Sequence, residues 1–345
     1  MARMSLTDNS MTFPKIAIVG AGAIGGWLGV HLARLDSGAG AQVSILARGD
    51  TLAAVRQHGL RLHQAGELLT VPVTASDDAA ALGVQDLVVI SVKAPALAAV
   101  AQQVGPLIGP NTVVLTAMNG VPWWFLQGLG GPVAGRSLNA VDPLGTIARA
   151  LPAQHIIGCV VHASCSVDAP GVIRHHFGDG LIVGEPSGQS TPRVHALHAL
   201  LRRAGFNATL SPQIQKDIWY KLWGNMTINP ISALTGATTD RILDDPLVRQ
   251  FISGVMLEAK AIGAKIGIPI DQEPEDRHAV TRKLGAFRTS MLQDVQASKP
   301  VELDALVSAV CELGQLTQVA TPLTDALLGL SRLHAQGLGL YGTRS

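Results

Sequence analysis

The chain has 345 residues, of which 47% are hydrophobic and only 15% are charged, and its formal net charge is +1. This length is typical of two domains, and the high apolar content excludes an intrinsically disordered chain. Lysine plus arginine (26) balances aspartate plus glutamate (25). With no basic run in the sequence, we expect no nucleic-acid partner.

Residues 94–135 carry no charged side chain, which raises the question of a membrane segment. A spanning helix needs about 20 uninterrupted apolar residues, whereas prolines and glycines divide this stretch into short pieces. We therefore expect no membrane segment. The three cysteines form no CxxC pair, and residues 1–14 lack the apolar core of a secretion signal. These features predict a cytoplasmic protein with reduced thiols, preceded by a poorly ordered lead-in over 1–14.

In the first half of the chain, short β-branched runs alternate with helical patterns. The predicted order is strand 15–19, helix 27–34, strand 42–47, helix 50–58, strand 86–92, helix 94–104 and strand 112–118. Such alternation predicts a Rossmann-type, doubly wound α/β sheet. Three further strands, at 156–167, 172–177 and 181–184, are expected to extend it as antiparallel hairpins, followed by a helix at 191–204 and a strand at 208–210.

From residue 214 onward only helical patterns remain, at 214–229, 246–266, 272–296, 301–317 and 322–336. Pro230 is expected to end the first of these helices. The sequence thus predicts a nucleotide-binding domain over 15–212 and an all-helical C-terminal domain over 213–345.

The most specific motif of the first half is the glycine loop Gly20-Ala21-Gly22-Ala23-Ile24-Gly25, which directly follows the first strand and opens a helix. In this context the first glycine permits a tight turn, the second lets the backbone approach a pyrophosphate, and the third lets the helix lie close to the strand. The helix N-terminus adds free N–H groups and partial positive charge. The alternative is a glycine-rich turn in an ordinary α/β protein.

Polar residues follow three of the predicted parallel strands, at the edge where such sheets bind ligands. Arg48 stands where NAD enzymes usually have an acid, and its guanidinium favours the 2′-phosphate of NADP; it could instead be a solvated loop charge. Lys93 follows the strand 86–92 and either binds the adenine-ribose phosphate or lies on the surface. Asn119, before Gly120, either serves the nicotinamide region or belongs to a plain turn.

The helical region carries a polar stripe. Lys221, Asn225 and Asn229 are spaced i, i+4, i+8 on one face of an otherwise apolar helix, so they need partners or a ligand; the alternative is an exposed polar face. Glu302, taken alone, reads as an acid near a helix start. His175-His176 has no third ligand at suitable spacing, so no metal site is expected.

Six blocks together resemble the ketopantoate reductase (2-dehydropantoate 2-reductase) family over residues 15–335. They are the glycine loop, Ser-Val-Lys93, Met-Asn119-Gly120, Lys221-Leu-Trp-Gly-Asn225-Met-Thr-Ile-Asn229-Pro230, Ser290-Met-Leu-Gln-Asp294 and Lys299-Pro-Val-Glu302-Leu-Asp304. The resemblance implies NADPH-dependent reduction of a small 2-keto acid, by a monomer or homodimer.

The resemblance also implies roles for individual positions. Lys221 matches the family's general acid, and Glu302 matches an active-site acid needed for substrate handling. Asn225, Asn229 and Ser290 match positions that hold substrate hydroxyl and carboxylate groups. Asn119 matches the cofactor–substrate junction, and Arg48 and Lys93 match the adenine-ribose end.

One departure from the family pattern bears on the substrate. Bulky Trp123, Trp124 and Phe125 follow Asn119-Gly120, where a smaller and more polar turn is expected. The two indoles either stack on a substrate or serve packing. The substrate is accordingly ketopantoate or a close analogue. The alternatives are a dehydrogenase for another 2-hydroxy acid and a non-catalytic NADP(H)-sensing protein.

Overall fold

The computed structural model describes residues 11–35 and 41–342, so most of the predicted lead-in lies outside the described residues. The chain divides into two compact units. The first comprises the described residues of Met1–Val92, together with Gln103–Ala117 and Gln154–Ile214. The second comprises Lys93–Gln102, Met118–Ala153 and the described residues of Gln215–Ser345. Two segments of the sheet-forming half are therefore grouped with the helices.

The first unit is built on one sheet. Its strands in the described residues are β1 (Lys15–Val19), β2 (Gln42–Leu46), β3 (Leu60–Gln64), β4 (Glu67–Val71), β5 (Thr74–Ser76), β6 (Leu87–Ile90), β7 (Val113–Thr116), β8 (Ile156–Ala169), β9 (Val172–Gly184) and β10 (Asn207–Leu210). They lie in the order β4-β3-β9-β8-β7-β6-β1-β2-β5, and β10 pairs with β9. Strands β5, β2, β1, β6, β7 and β8 are parallel. The predicted doubly wound sheet is confirmed.

Helices are numbered along the described chain. They are α1 (Ala23–Ala33), α2 (Gly49–His58), α3 (Ala79–Leu82), α4 (Ala94–Ala101), α5 (Thr146–Ala150), α6 (Pro192–Arg203), α7 (Ile214–Thr235), α8 (Thr239–Asp244), α9 (Pro246–Lys265), α10 (Pro274–Arg282), α11 (Ser290–Gln296), α12 (Ala309–Thr317) and α13 (Pro322–Gly337). The predicted helical C-terminal region is confirmed. None of the helices in the described residues has the length and hydropathy needed to cross a membrane.

The central strands are buried because their sequences are apolar on both faces. Every residue of β6 and β7 is buried, and in β1 and β2 only the first residue is exposed. Continuous hydrophobic runs of this kind suit parallel strands that are covered on both sides. The sheet thereby presents the carboxyl ends of β1 and β2 beside each other in parallel register.

Three strands were not predicted, and one prediction split a continuous strand. β3 and β4 form a hairpin whose turn residues Ala65 and Gly66 both have positive φ (51° and 85°), a turn chemistry for which Ala-Gly is a weak signal. β9 runs unbroken through Gly178, where an added Cβ would lie 2.5 Å from the carbonyl oxygen of His162. The glycine therefore marks a close approach at an irregularity of the β8–β9 pairing, not a turn.

The expectation that Pro230 ends its helix is wrong, because α7 continues to Thr235 with Pro230 inside it. Ile231 and Ser232 are buried beyond the proline, and burial of this kind outweighs the loss of one backbone hydrogen bond. The predicted helix 272–296 is two helices, α10 and α11, separated at Gly285 (φ 61°). Before α12, residues Asp304–Ser308 form a π-helical turn, a feature often found at functional sites.

Candidate active site

The glycine loop has the geometry that only glycine permits at two positions. Gly20 has φ of 92°, and a Cβ on it would lie 2.6 Å from Cγ1 of Val92. A Cβ on Gly25 would lie 2.0 Å from the carbonyl oxygen of Gly20 and 2.1 Å from Oγ of Ser91. Ser91 Oγ in turn donates to the Gly20 carbonyl at 2.8 Å. The start of α1 is thus held directly against the end of β1.

Gly22 is different, because nothing lies within 4 Å of a Cβ added to it. It is the N-cap of α1, forms no side-chain cap hydrogen bond, and the first turn of α1 contains no acid. Ala21 is buried, and Ala23 and Ile24 are half-buried. The open space and the uncapped N–H groups fit a pyrophosphate at this helix N-terminus. The loop therefore fits the dinucleotide that the motif predicts.

Arg48 lies beyond the end of β2 and directly precedes α2. Its side chain is exposed, and no ion pair occupies it within the part of the chain that is described. A guanidinium that is not committed to a carboxylate can take a phosphate in a bidentate grip. Its position fits recognition of an adenine-ribose phosphate.

In the second unit, Lys221 and Asn119 are in direct contact. The Lys221 Nζ donates to Oδ1 of Asn119 at 2.8 Å. Helix α7 is fixed by its apolar side, where Trp219, Trp223 and Met226 are buried and Trp223 Nε1 donates to the carbonyl of Met256 at 2.7 Å. The polar face of α7 therefore has a fixed orientation, and Lys221, the first residue of the stripe, contacts the side-chain amide of Asn119.

The turn that carries Asn119 is itself locked. Gly120 has φ of 81°, and a Cβ on it would lie 2.7 Å from the carbonyl oxygen of Ala305. The N–H of Val121 donates to that same carbonyl at 2.8 Å. Asn119 is thus held against the π-helical turn. Ala305, which makes the contact in that turn, follows Glu302 by three positions in the sequence.

Glu302 is a buried acid, with a relative exposure of 7%. The backbone N–H of Ala94 donates to its Oε1 at 3.0 Å. Burial raises the pKa of Glu302, while the Ala94 hydrogen bond and the positive charge of Lys93 oppose that rise. Ala94 is the first residue of α4, so this carboxyl satisfies an N–H group that the helix itself leaves without a partner.

Lys93 forms an ion pair with Asp294, an acid for which the sequence predicts no individual role. Asp294 is buried, whereas the side chain of Lys93 is close to half exposed. Burial raises the pKa of Asp294, and the hydrogen bond and charge of Lys93 act in the opposite direction. The feature of the sequence that could have identified Asp294 is its position one turn after Ser290, on the same short helix.

The remaining predicted substrate residues lie near these groups in sequence. Asn229 is buried and Asn225 half-buried on the stripe of α7, and Ser290 is exposed at the start of α11.

A pocket of about 170 Å³ opens beside this cluster within the second unit. Asn119 and Glu302 lie on its wall, and most of the remaining wall is apolar, including Leu97, Val121 and Trp123. Trp123 is buried, and its Nε1 donates to the carbonyl of Leu151 at 3.1 Å. Trp124 and Phe125 are buried outside the pocket, where Phe125 meets Trp219 with ring centroids 5.9 Å apart.

Comparison with known proteins gives a consistent result over nearly the whole chain. Residues 16–122 match the model for ketopantoate reductase PanE/ApbA, and residues 213–335 match the model for its C-terminal region. A 2-dehydropantoate 2-reductase of Mesorhizobium japonicum is 46% identical over 330 residues, covering 95% of this chain and 99% of the relative.

Solved structures agree with the sequence relatives. A crystal structure from Ralstonia solanacearum MolK2, of a protein assigned as a ketopantoate reductase, is 57% identical with a TM-score of 0.91, covering 95% of this chain and 99% of that one. The 2-dehydropantoate 2-reductase of Geobacter metallireducens GS-15 is 28% identical with a TM-score of 0.79, covering 92% and 99%.

Proposed function

Because the chain belongs to the ketopantoate reductase PanE/ApbA family, we propose that it reduces ketopantoate to pantoate with NADPH. The observation that carries the proposal is the contact of Lys221 Nζ with Asn119 Oδ1, on the wall of a pocket that also bears Glu302. The ammonium of Lys221 thus contacts an amide on the wall of a cavity whose wall also includes a buried acid, which supports a role for these groups in the reaction.

The cofactor is assigned to the first unit. The open backbone at Gly22 and the N-terminus of α1 would take the pyrophosphate, and Arg48 would take the 2′-phosphate that distinguishes NADP from NAD. When bound, the reduced nicotinamide would supply a hydride, which is one proton and two electrons, to C2 of the keto acid.

The residues of the second unit stabilise and protonate the oxygen of the reacting carbonyl. As the new C–H bond forms at C2, the C=O π pair moves onto oxygen and negative charge develops there. The ammonium of Lys221 stabilises that charge and donates a proton, which yields the 2-hydroxyl group. Asn119 fixes the direction of one Nζ–H bond, so the ammonium is oriented before the substrate arrives.

Glu302 is assigned to the substrate's own hydroxyl group. Its carboxyl lines the pocket and is held by the Ala94 N–H, so it can form a hydrogen bond at a fixed position. Asn225, Asn229 and Ser290 are assigned to the substrate's carboxylate and hydroxyl groups. Lys93 forms an ion pair with Asp294. We therefore assign Lys93 to the acid cluster formed by Asp294 and Glu302, in addition to the phosphate-binding role that the resemblance implies.

The direct test mixes the purified chain, NADPH and ketopantoate and follows the loss of NADPH absorbance. We expect turnover that requires ketopantoate and falls steeply in Lys221→Met. NADPH that binds tightly but is oxidised by no 2-keto acid would instead support the sensing alternative. A homodimer, which the resemblance allows, is tested by light scattering after size-exclusion chromatography.

A further inference from the structure

We propose that the pocket beside Asn119 and Glu302 receives the carbon substituent attached to the keto group, and that Trp123 sets its depth. The enzyme would then select 2-keto acids with short branched apolar substituents over those with a bare methyl group. This inference rests on the proposed function and adds to it a residue that determines specificity.

The size and composition of the pocket support a branched group of a few carbon atoms. An apolar cavity of about 150 Å³ is large enough to bind benzene, and this pocket measures about 170 Å³. Leu97, Val121, Trp123 and Val301 supply apolar wall. Burial of each CH₂ group against such a wall is worth about 0.8 kcal/mol, so the pocket rewards substrates that fill it.

The pocket is correctly placed to take a substituent of the reacting carbonyl. Asn119 lies on its wall and accepts from Lys221 Nζ at 2.8 Å. A keto oxygen bound by that ammonium is therefore a few ångströms from the cavity. Glu302 lies on the same wall and can meet a hydroxyl carried by the substituent, such as the terminal hydroxyl of ketopantoate. Asp304, also on the wall, already accepts from Tyr341 at 2.6 Å and Ser308 at 3.1 Å.

Trp123 is a fixed boundary of the cavity. Its Nε1–H bond to the Leu151 carbonyl holds the indole in one orientation, and only 5% of the residue is exposed. Rotation away from the pocket would break that bond and leave a buried donor unpaired, which is unfavourable. Its neighbour Trp124 does not line the pocket, so the two adjacent tryptophans provide a matched comparison.

The experiment measures kcat/KM with NADPH for pyruvate, 2-ketoisovalerate and 2-ketoisocaproate in the full chain and three variants. The wild-type chain should prefer 2-ketoisovalerate over pyruvate by about fifteenfold, since two more carbons are buried at about fourfold each. Trp123→Phe should raise the ratio of 2-ketoisocaproate to 2-ketoisovalerate by about fourfold, for one more carbon. Trp124→Phe should leave both ratios unchanged.

Ratios of two substrates on one preparation do not depend on how much of a variant is folded. If Trp123→Phe gives no active protein, Val141→Phe provides a second route, because Val141 is half-buried on the pocket wall. This change should narrow the pocket and lower the preference for 2-ketoisovalerate over pyruvate. Equal wild-type rates on these two substrates, or unchanged ratios in both pocket variants, would overturn the pocket assignment alone. A wild-type chain that reduces no 2-keto acid, ketopantoate included, overturns the proposed function with it.

Discussion

Adding one methyl group at Gly25 should damage the fold, whereas the same change at Gly22 should damage only cofactor binding. A Cβ at position 25 would lie 2.0 Å from a backbone oxygen, that of Gly20, and 2.1 Å from Oγ of Ser91. The serine can rotate, but the backbone oxygen cannot move without shifting β1 or α1. A Cβ at position 22 meets no atom within 4 Å.

The expected magnitudes follow from these distances. Overpacking of this kind costs roughly 1–3 kcal/mol, and the gain of about 1 kcal/mol from alanine over glycine inside a helix offsets part of it. A 2.0 Å contact with a backbone oxygen puts the cost at the upper end of that range, so Gly25→Ala should lower the free energy of unfolding by roughly 2 kcal/mol, or about 2–4 °C in Tm for each kcal/mol. Gly22 has φ of −75° and ψ of −162°, which alanine adopts, so Gly22→Ala should change stability by less than about 0.5 kcal/mol.

Thermal unfolding and NADPH titration, measured on the same preparations, separate the two effects. Gly22→Ala should bind NADPH at least tenfold more weakly, a loss of about 1.4 kcal/mol, because its methyl group occupies the space for the pyrophosphate. Undiminished NADPH affinity in Gly22→Ala would show that the phosphates do not approach this backbone. A Gly25→Ala variant with wild-type Tm would refute the packing argument.

Four further outcomes are expected. Lys221→Met should lower kcat by about 10²- to 10⁴-fold with little change in Tm, and a smaller loss would exclude this lysine as the general acid. Arg48→Glu should weaken NADPH binding about tenfold and leave NADH binding nearly unchanged, and an equal loss for both would remove the 2′-phosphate role. Burial raises the pKa of Glu302, so its stabilising contribution is complete below the ordinary pKa of a glutamate and is lost as pH rises above it. Glu302→Gln should lose activity, because the pocket loses its carboxyl group, and its Tm relative to the wild-type chain should rise with pH above about pH 5; a relative Tm that falls with pH would contradict this sign. Lys93→Met should lower Tm more than Asp294→Asn, because only the former leaves a buried carboxyl without its cation, at a cost of roughly 1–3 kcal/mol; equal losses would contradict this reasoning.

Local patterns in the sequence were sufficient wherever a residue's environment is decided by its near neighbours. The bounds of β1 are those predicted, because a strand buried on both faces is apolar throughout. The glycine loop follows it in the predicted context. β3 and β4 were missed because only Leu60 and Leu62 of β3 and Val71 of β4 are buried, so neither strand contains a continuous apolar run.

The acid cluster could not be derived from the sequence. Glu302 is bonded to a backbone N–H that lies 208 positions earlier, and a backbone group leaves no trace in the choice of side chain. The Lys93–Asp294 pair likewise joins two segments that are distant in the chain. Pro230 illustrates the opposite problem. Proline locally predicts the end of a helix, but α7 continues beyond it because the residues that follow are buried.

The two carboxylates that meet the start of α4 have a consequence for insertions and deletions. Lys93 and Ala94 are consecutive residues, and they bind Asp294 and Glu302, respectively. The length of the segment between those acids is therefore fixed by contacts at both of its ends. The segment turns back at Ser298, whose φ is 52°, and the N–H of Lys299 donates to the carbonyl of Asp294 at 2.9 Å. Lengthening this segment by even one residue would detach one acid from α4, so homologous chains that keep both contacts are expected to keep its length.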